Sequence, residues 1–144
     1  LQPFRVLRGI ECDILPDGTL DLPDDVLAEL DWVQLSLHAG QRRPRGELTR
    51  IVCEALRNPY VRALSHPKGR ILNHRPENAL DLEAVFEVAL EHAVAVEING
   101  LPDRLDLSAA HAREAIAAGV GLVLSSDSHS TRGLASVEFA VATA

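Results

Sequence analysis

Short apolar runs alternate along this chain with amphipathic stretches. Runs rich in Val, Leu and Ile lie at 6–12, 32–37, 61–65, 94–98 and 120–125, bounded by turn residues such as Pro16, Asp17 and Gly18. Their length predicts strands rather than buried helices. Between them apolar residues recur at helical spacing. Val26, Leu27 and Leu30 share a face over 24–30, where Asp24 or Asp25 can cap the helix. Leu48, Ile51, Val52 and Leu56 do the same over 47–56, which the Asn58-Pro59 pair closes. Further helices are expected at 82–92 and at 108–118, the latter capped by Ser108, and 136–144 reads as the beginning of another.

Five strands separated by helices predict an α/β fold with a parallel sheet covered on both faces. No internal repeat, low-complexity segment or linker divides the chain, so it reads as one domain or part of one. Its 144 residues fall short of the roughly 200 that a complete strand-helix barrel usually needs. The chain opens at Leu1 without Met and runs almost at once into a strand. Preceding elements are therefore expected on sequence outside it.

Charge narrows the partners. With 21 acidic against 14 basic residues the net charge is -7, which excludes holding nucleic acid by bulk electrostatics and leaves room only for a local basic patch. Two cysteines, Cys12 and Cys53, form neither a disulfide framework nor a zinc ribbon and read as reduced thiols. No apolar run approaches the roughly 18 residues of a membrane span, and no signal segment is evident. A soluble, cytoplasmic protein with no membrane partner is expected.

The candidate chemistry sits where the apolar runs stop. VLRGIE ends on Glu11, VQLSLH on His38, VRALSH on His66, and LVLSSDSH supplies Asp127 and His129. A parallel barrel collects the C-terminal ends of its strands on one rim, so residues far apart in sequence can share a site there. A single His of this kind is more often a hydrogen-bonded structural residue; the recurrence is what points to one shared metal centre. Imidazole and carboxylate suit zinc, manganese or iron, and a carboxylate can bridge two ions. Two ions about 3.5 to 4 Å apart lower the pKa of a shared water and stabilise both oxygens of a phosphoester displacement. Lys68 and Arg70 after His66, and Arg42, Arg43 and Arg45 after His38, are placed to hold a substrate phosphate or guide a nucleic-acid backbone. Asp13 shares a strand face with Glu11, as a supporting acid or in a structural ion pair, whereas Cys12 faces the other way. His74, His92 and His111 lie on a loop and on helices away from the rim.

In order and interval, GIECDI, SLHAG, SHPKGR, EINGLPDRLDL and SSDSHS resemble the polymerase and histidinol phosphatase (PHP) superfamily of metal-dependent phosphoesterases. ILPDG and LRNPYV are most similar to the PHP domain at the C-terminal end of bacterial family X DNA polymerases. The resemblance implies a distorted seven-stranded TIM-like barrel, of which this chain supplies about five strands, and two or three divalent ions (Mn, Zn or Fe). Glu11 would bridge two ions, His38 and His66 would complete the shell of one, Asp127 would bind the other, and His129 would help hold a third. Asn99 and Arg104 lie in a stretch like the family's own, where Arg104 would meet substrate phosphate. The family's opening His-x-His pair and one further His are not in this sequence. The isolated chain is therefore expected to bind at most one ion weakly and to be inactive.

The implied activity is a 3'-5' exonuclease, with 3'-phosphatase action, on single-stranded or gapped DNA 3' ends, in DNA repair beside the upstream polymerase domains of the same chain. The alternatives are a histidinol-phosphate or other small-molecule phosphatase, and a non-catalytic PHP module that scaffolds a polymerase.

Overall fold

The computed structural model describes residues 4–144. Its strands are β1 (Gly9–Asp13), β2 (Trp32–Ser36), β3 (Ala63–Leu64), β4 (Ala95–Asn99) and β5 (Leu122–Ser125). They form one sheet in the order β1-β2-β3-β4-β5, and every neighbouring pair is parallel. Helices α1 (Asp24–Leu27), α2 (Arg45–Leu56), α3 (Leu82–Glu91) and α4 (Ala109–Ala117) occupy the connections, and α5 (Val137–Thr143) follows a 3-10 turn at Gly133–Ser136.

This order corrects the expectation of a sheet covered by helices on both faces. Right-handed crossovers between strands that never reverse their order place every connecting helix on the same side. A doubly wound sheet needs a reversal, and this one has none. The arrangement is that of a partial TIM-like barrel; among the described residues it has five strands.

The side-chain period of two then sorts the strands into two faces. Cys12, Val33, Leu35, Leu64, Val96 and Ile98 join one buried core with Leu48, Ile51, Val52 and Leu56 of α2, Val85, Phe86 and Ala89 of α3, and Ala112 and Ala115 of α4. The alternate positions carry Glu11, Asp13, Gln34, Ser36, Ser65, Glu97, Asn99 and Ser125, and their register sets these polar groups side by side.

Several boundaries differ from expectation for local reasons. β1 starts at Gly9 because Arg8 is tied to Asp31: its backbone N and Nε donate to Asp31 Oδ2 at 3.0 and 3.2 Å. α1 is a single turn entered from Pro23 with no side-chain cap. Asp24 instead accepts from Asn58 Nδ2 at 2.8 Å, fastening α1 to the end of α2. Ser108 does cap α4, accepting from the His111 backbone N–H at 3.2 Å. β3 is short because His66 turns into the left-handed region (φ 25°) directly after Ser65.

Candidate metal centre

β1 does not stop at Glu11. It continues to Asp13, so Glu11 projects from mid-strand and Asp13 stands on the same face one step nearer the rim. Glu11 lies beside Gln34 and Asp13 beside Ser36 in register, and His38 follows Ser36 by two residues. β3 delivers His66 from the next position in the sheet. Glu11, His38 and His66 each present one ligand atom, and these atoms lie within 4.8 Å of one another. His66 Nε2 is 3.0 Å and His38 Nε2 3.7 Å from Glu11 Oε1.

The donor set fits a divalent ion on two counts. One carboxylate and two imidazoles are the ligand types that zinc, manganese and iron accept. His38 Nδ1 also meets Asp13 Oδ1 at 2.5 Å, the carboxylate–imidazole contact that fixes the tautomer and orientation of a metal-binding ring. It leaves His38 Nε2 for an ion; the same contact also has the form of the structural ion pair considered for Asp13. The hydrogen bond from His66 holds Glu11 below the usual carboxylate range, against the opposing effect of burial. Burial works to lower His66, but its bond to Glu11 and the nearby Glu97 charge outweigh that and raise it above the ordinary histidine value.

Beneath these ligands lies a buried acid that the sequence reading passed over. Glu97 accepts from the His66 backbone N–H at 2.7 Å, Gln34 Nε2 at 2.8 Å, Ser125 Oγ at 2.5 Å and Asn99 Nδ2 at 3.4 Å. Burial pushes its carboxyl above the ordinary range. Asn99 Nδ2 also donates to Asp127 Oδ2 at 3.0 Å, so hydrogen bonds run without a break from His66 through Glu97 and Asn99 to Asp127. The available signal was the alternation in VQL and VEI, where one polar residue interrupts apolar neighbours at strand spacing.

Asp127 lies two residues beyond β5 with a left-handed backbone (φ 47°). It borders a concavity of about 240 Å³ that Glu11 also lines, together with Gln34, Glu97 and Ser125. Asp127 therefore borders the same space as Glu11. His129 stands apart, largely exposed, with Nδ1 4.0 Å from Asp127 Oδ1.

The expected phosphate contacts divide. Lys68 is buried, its Nζ donating to the Leu80 carbonyl at 3.0 Å, and burial lowers its pKa. It does not face the rim, because the loop after His66 folds over it. Arg70 donates from Nε to the Arg104 carbonyl at 2.8 Å and from Nη2 to the Leu105 carbonyl; it braces two loops. Arg104 and Arg43 are each part-buried. Arg104 Nε is 3.7 Å from Asp127 Oδ2, Arg43 Nε is 3.1 Å from Glu47, and an Nη1 of each is buried without a hydrogen-bond partner among the described residues. Cys12 packs as expected, and burial with its Asp21 contact raises its thiol to about 11. Cys53 is also a free, buried thiol.

No family model matches the chain. Over 128 residues it is 41% identical to a Bacillus subtilis protein named DNA polymerase/3'-5' exonuclease PolX, covering 89% of this chain and 22% of that protein. It is 35% identical over 137 residues to a probable phosphatase of Acetivibrio thermocellus, and 31% identical over 142 residues to one of a Thermoanaerobacter species. Each of those alignments covers 90% of this chain and 54% of the relative. The chain thus spans about a fifth to a half of these relatives' length. These likenesses, with the cluster and the barrel-like sheet, support a PHP-like domain of phosphoesterase character. Among the described residues no helix is long and apolar enough to cross a membrane.

Proposed function

We propose that this chain is part of a PHP domain that cleaves phosphoesters at DNA 3' ends as a 3'-5' exonuclease, in the setting of a family X DNA polymerase. The observation that carries the reading is the convergence of Glu11, His38 and His66, with their ligand atoms within 4.8 Å. In the full site, with two or three divalent ions, Glu11 would be shared between ions, Asp127 would bind the second and His129 would serve the third. A bound ion supplies Lewis-acid charge and a lowered water pKa.

The chain's own residues organise that chemistry. Asp13 keeps His38 Nε2 turned toward Glu11, and the bond from the His66 backbone N–H to Glu97 anchors His66 at its left-handed turn. Asn99 couples Asp127 to the same buried carboxylate. Arg104, whose Nε lies 3.7 Å from Asp127 Oδ2, would neutralise a phosphate oxygen as charge builds in an in-line displacement.

Metal titration and hydrolysis test this reading together. The chain should take up one manganese or zinc ion, and Glu11→Gln should weaken that ion about a hundredfold or more, since it removes the charged one of three ligands. In the protein that carries this segment, the same change should abolish release of nucleotides from the 3' end of single-stranded DNA. Metal binding that survives both Glu11→Gln and His66→Ala would sink the assignment.

A second reading has its own support, because the Acetivibrio and Thermoanaerobacter relatives are named probable phosphatases. Competing hydrolysis of single-stranded DNA and histidinol phosphate separates the two. A nuclease prefers the first strongly.

A further inference from the structure

Next to the cluster the sign of the surface reverses. A concavity of about 550 Å³ is lined by His38, Gln41, Arg42, Arg43, Arg75 and Asn78, among others, a size within the range of about 300–1,000 Å³ typical of ligand pockets. Three arginines line it in a chain of net charge -7. Glu77 also lines it, but its carboxylate is shared with Arg70 at 3.6 Å and His111 at 3.8 Å.

The walls are built rather than loose. Asn78 donates from Nδ2 to the Pro67 carbonyl at 3.0 Å and accepts from the Leu80 N–H at 3.0 Å, which fixes one side. Gln41 is held by the Leu37 carbonyl at 2.6 Å and Arg75 by the Gly69 carbonyl at 2.6 Å. Arg43 keeps a buried Nη1 without a partner, although its Nε is paired with Glu47. His38 is common to this concavity and the cluster, so a ligand here adjoins whatever the ions hold.

We propose that this concavity is a subsite for a backbone phosphate of single-stranded nucleic acid, adjoining the phosphate at the cluster, with Arg42, Arg43 and Arg75 as its contacts. The choice of ligand rests on the phosphoesterase reading, since a strand engaged at the cluster carries its next phosphate into the adjoining space. A small monoester has no second phosphate to place. The subsite therefore adds affinity for strands and none for monoesters.

The test is binding of a fluorescent single-stranded oligonucleotide to the chain, followed by anisotropy across a salt series. Arg42→Ala and Arg75→Ala should each weaken binding several-fold and lower the salt slope by about 0.7, the contribution of one phosphate contact in a single strand. Arg42→Lys should retain most of the affinity, and the uptake of one metal ion should stay unchanged. Unchanged oligonucleotide affinity and slope in both alanine variants, with circular dichroism intact, would overturn the proposal. So would equal, arginine-dependent binding of a polyglutamate of the same charge, which would assign the concavity to acidic polymers in general. In the metal-loaded protein that carries this segment, absence of hydrolysis with arginine-dependent binding preserved sinks the phosphoesterase reading alone; hydrolysis of strands that ignores both alanine changes, with binding equally unaffected, sinks the subsite alone.

Discussion

The two faces of the sheet are built from alternate residues of the same strands and have opposite chemistry. Cys12, Val33, Leu35, Leu64, Val96 and Ile98 are all nearly inaccessible and meet the helices. Their neighbours Glu11, Gln34, Ser65, Glu97 and Asn99 are polar, and the last three are buried too. The apolar face gains stability from every area removed from water. On the polar face burial costs free energy unless each group finds a partner. Glu97 solves that problem with four donors, and the solution also anchors His66 and, through Asn99, Asp127. The candidate site lies on the polar face, at the end where strands release their side chains into loops.

The largest expected effect comes from disturbing the apolar face. Leu35 has no accessible surface, so Leu35→Ala should cost about 2–5 kcal/mol, as cavity-forming substitutions do. Urea denaturation would show it. Metal affinity per folded molecule should hardly change. A Leu35→Ala variant that keeps its stability but loses its metal would break the division between the faces.

A smaller effect is expected from Asp13→Asn. The change keeps the size of the side chain but removes the charge that meets His38 Nδ1 at 2.5 Å. Metal affinity should fall about tenfold or more, the usual consequence of losing the partner of a metal-binding histidine, with little change in unfolding. If calorimetry shows stability falling and the metal held as before, Asp13 serves only as a structural ion-pair partner.

The smallest effect is a dependence on pH beneath the polar face. Asp106 is fully buried, one of its carboxylate oxygens has no partner among the described residues, and burial raises its pKa above the model-peptide value of 3.8. An acid whose folded pKa is raised binds its proton more tightly when folded. Its contribution is thus favourable at low pH and declines as pH rises from the unfolded value through the folded one. Asp106→Asn removes that decline. Relative to wild type the variant should gain stability as pH rises above the usual carboxylate range, measured by denaturation at a series of pH values. A constant difference across the series would show that Asp106 ionises as readily folded as unfolded.

How much could be read from residues alone varies with the range of the interaction. All five strands and the amphipathic segments between them were predicted because period and turn chemistry are local, and Ser108 caps its helix because a cap needs only the next three residues. Boundaries failed where a distant group intervened, as Asp31 does at Arg8 and Asn58 at Asp24. Glu11, His38 and His66 were singled out by recurrence at the ends of apolar runs, and the fold brings them together. Glu97 was missed because it stands inside a strand, where the alternation in VEI marks a polar residue without separating a buried, four-fold hydrogen-bonded carboxylate from one on an exposed face. Lys68 was placed at the rim by its position after His66, yet the loop turns it toward the Leu80 carbonyl twelve residues away.

The sequence by itself determined the number and kind of elements, the residue types able to hold an ion, and the overall acidity that limits nucleic acid to a local patch. Tertiary structure decided the rest: which face each strand residue occupies, that the helices cover only one face, and that three ligands meet while His129 stands apart. Period and composition act through neighbours in the chain. Unbroken strand order, register and the pairing of polar groups arise only when segments remote in sequence are set side by side, as Asp13 is with His38 (25 residues) and Gln34 with Glu97 (63 residues).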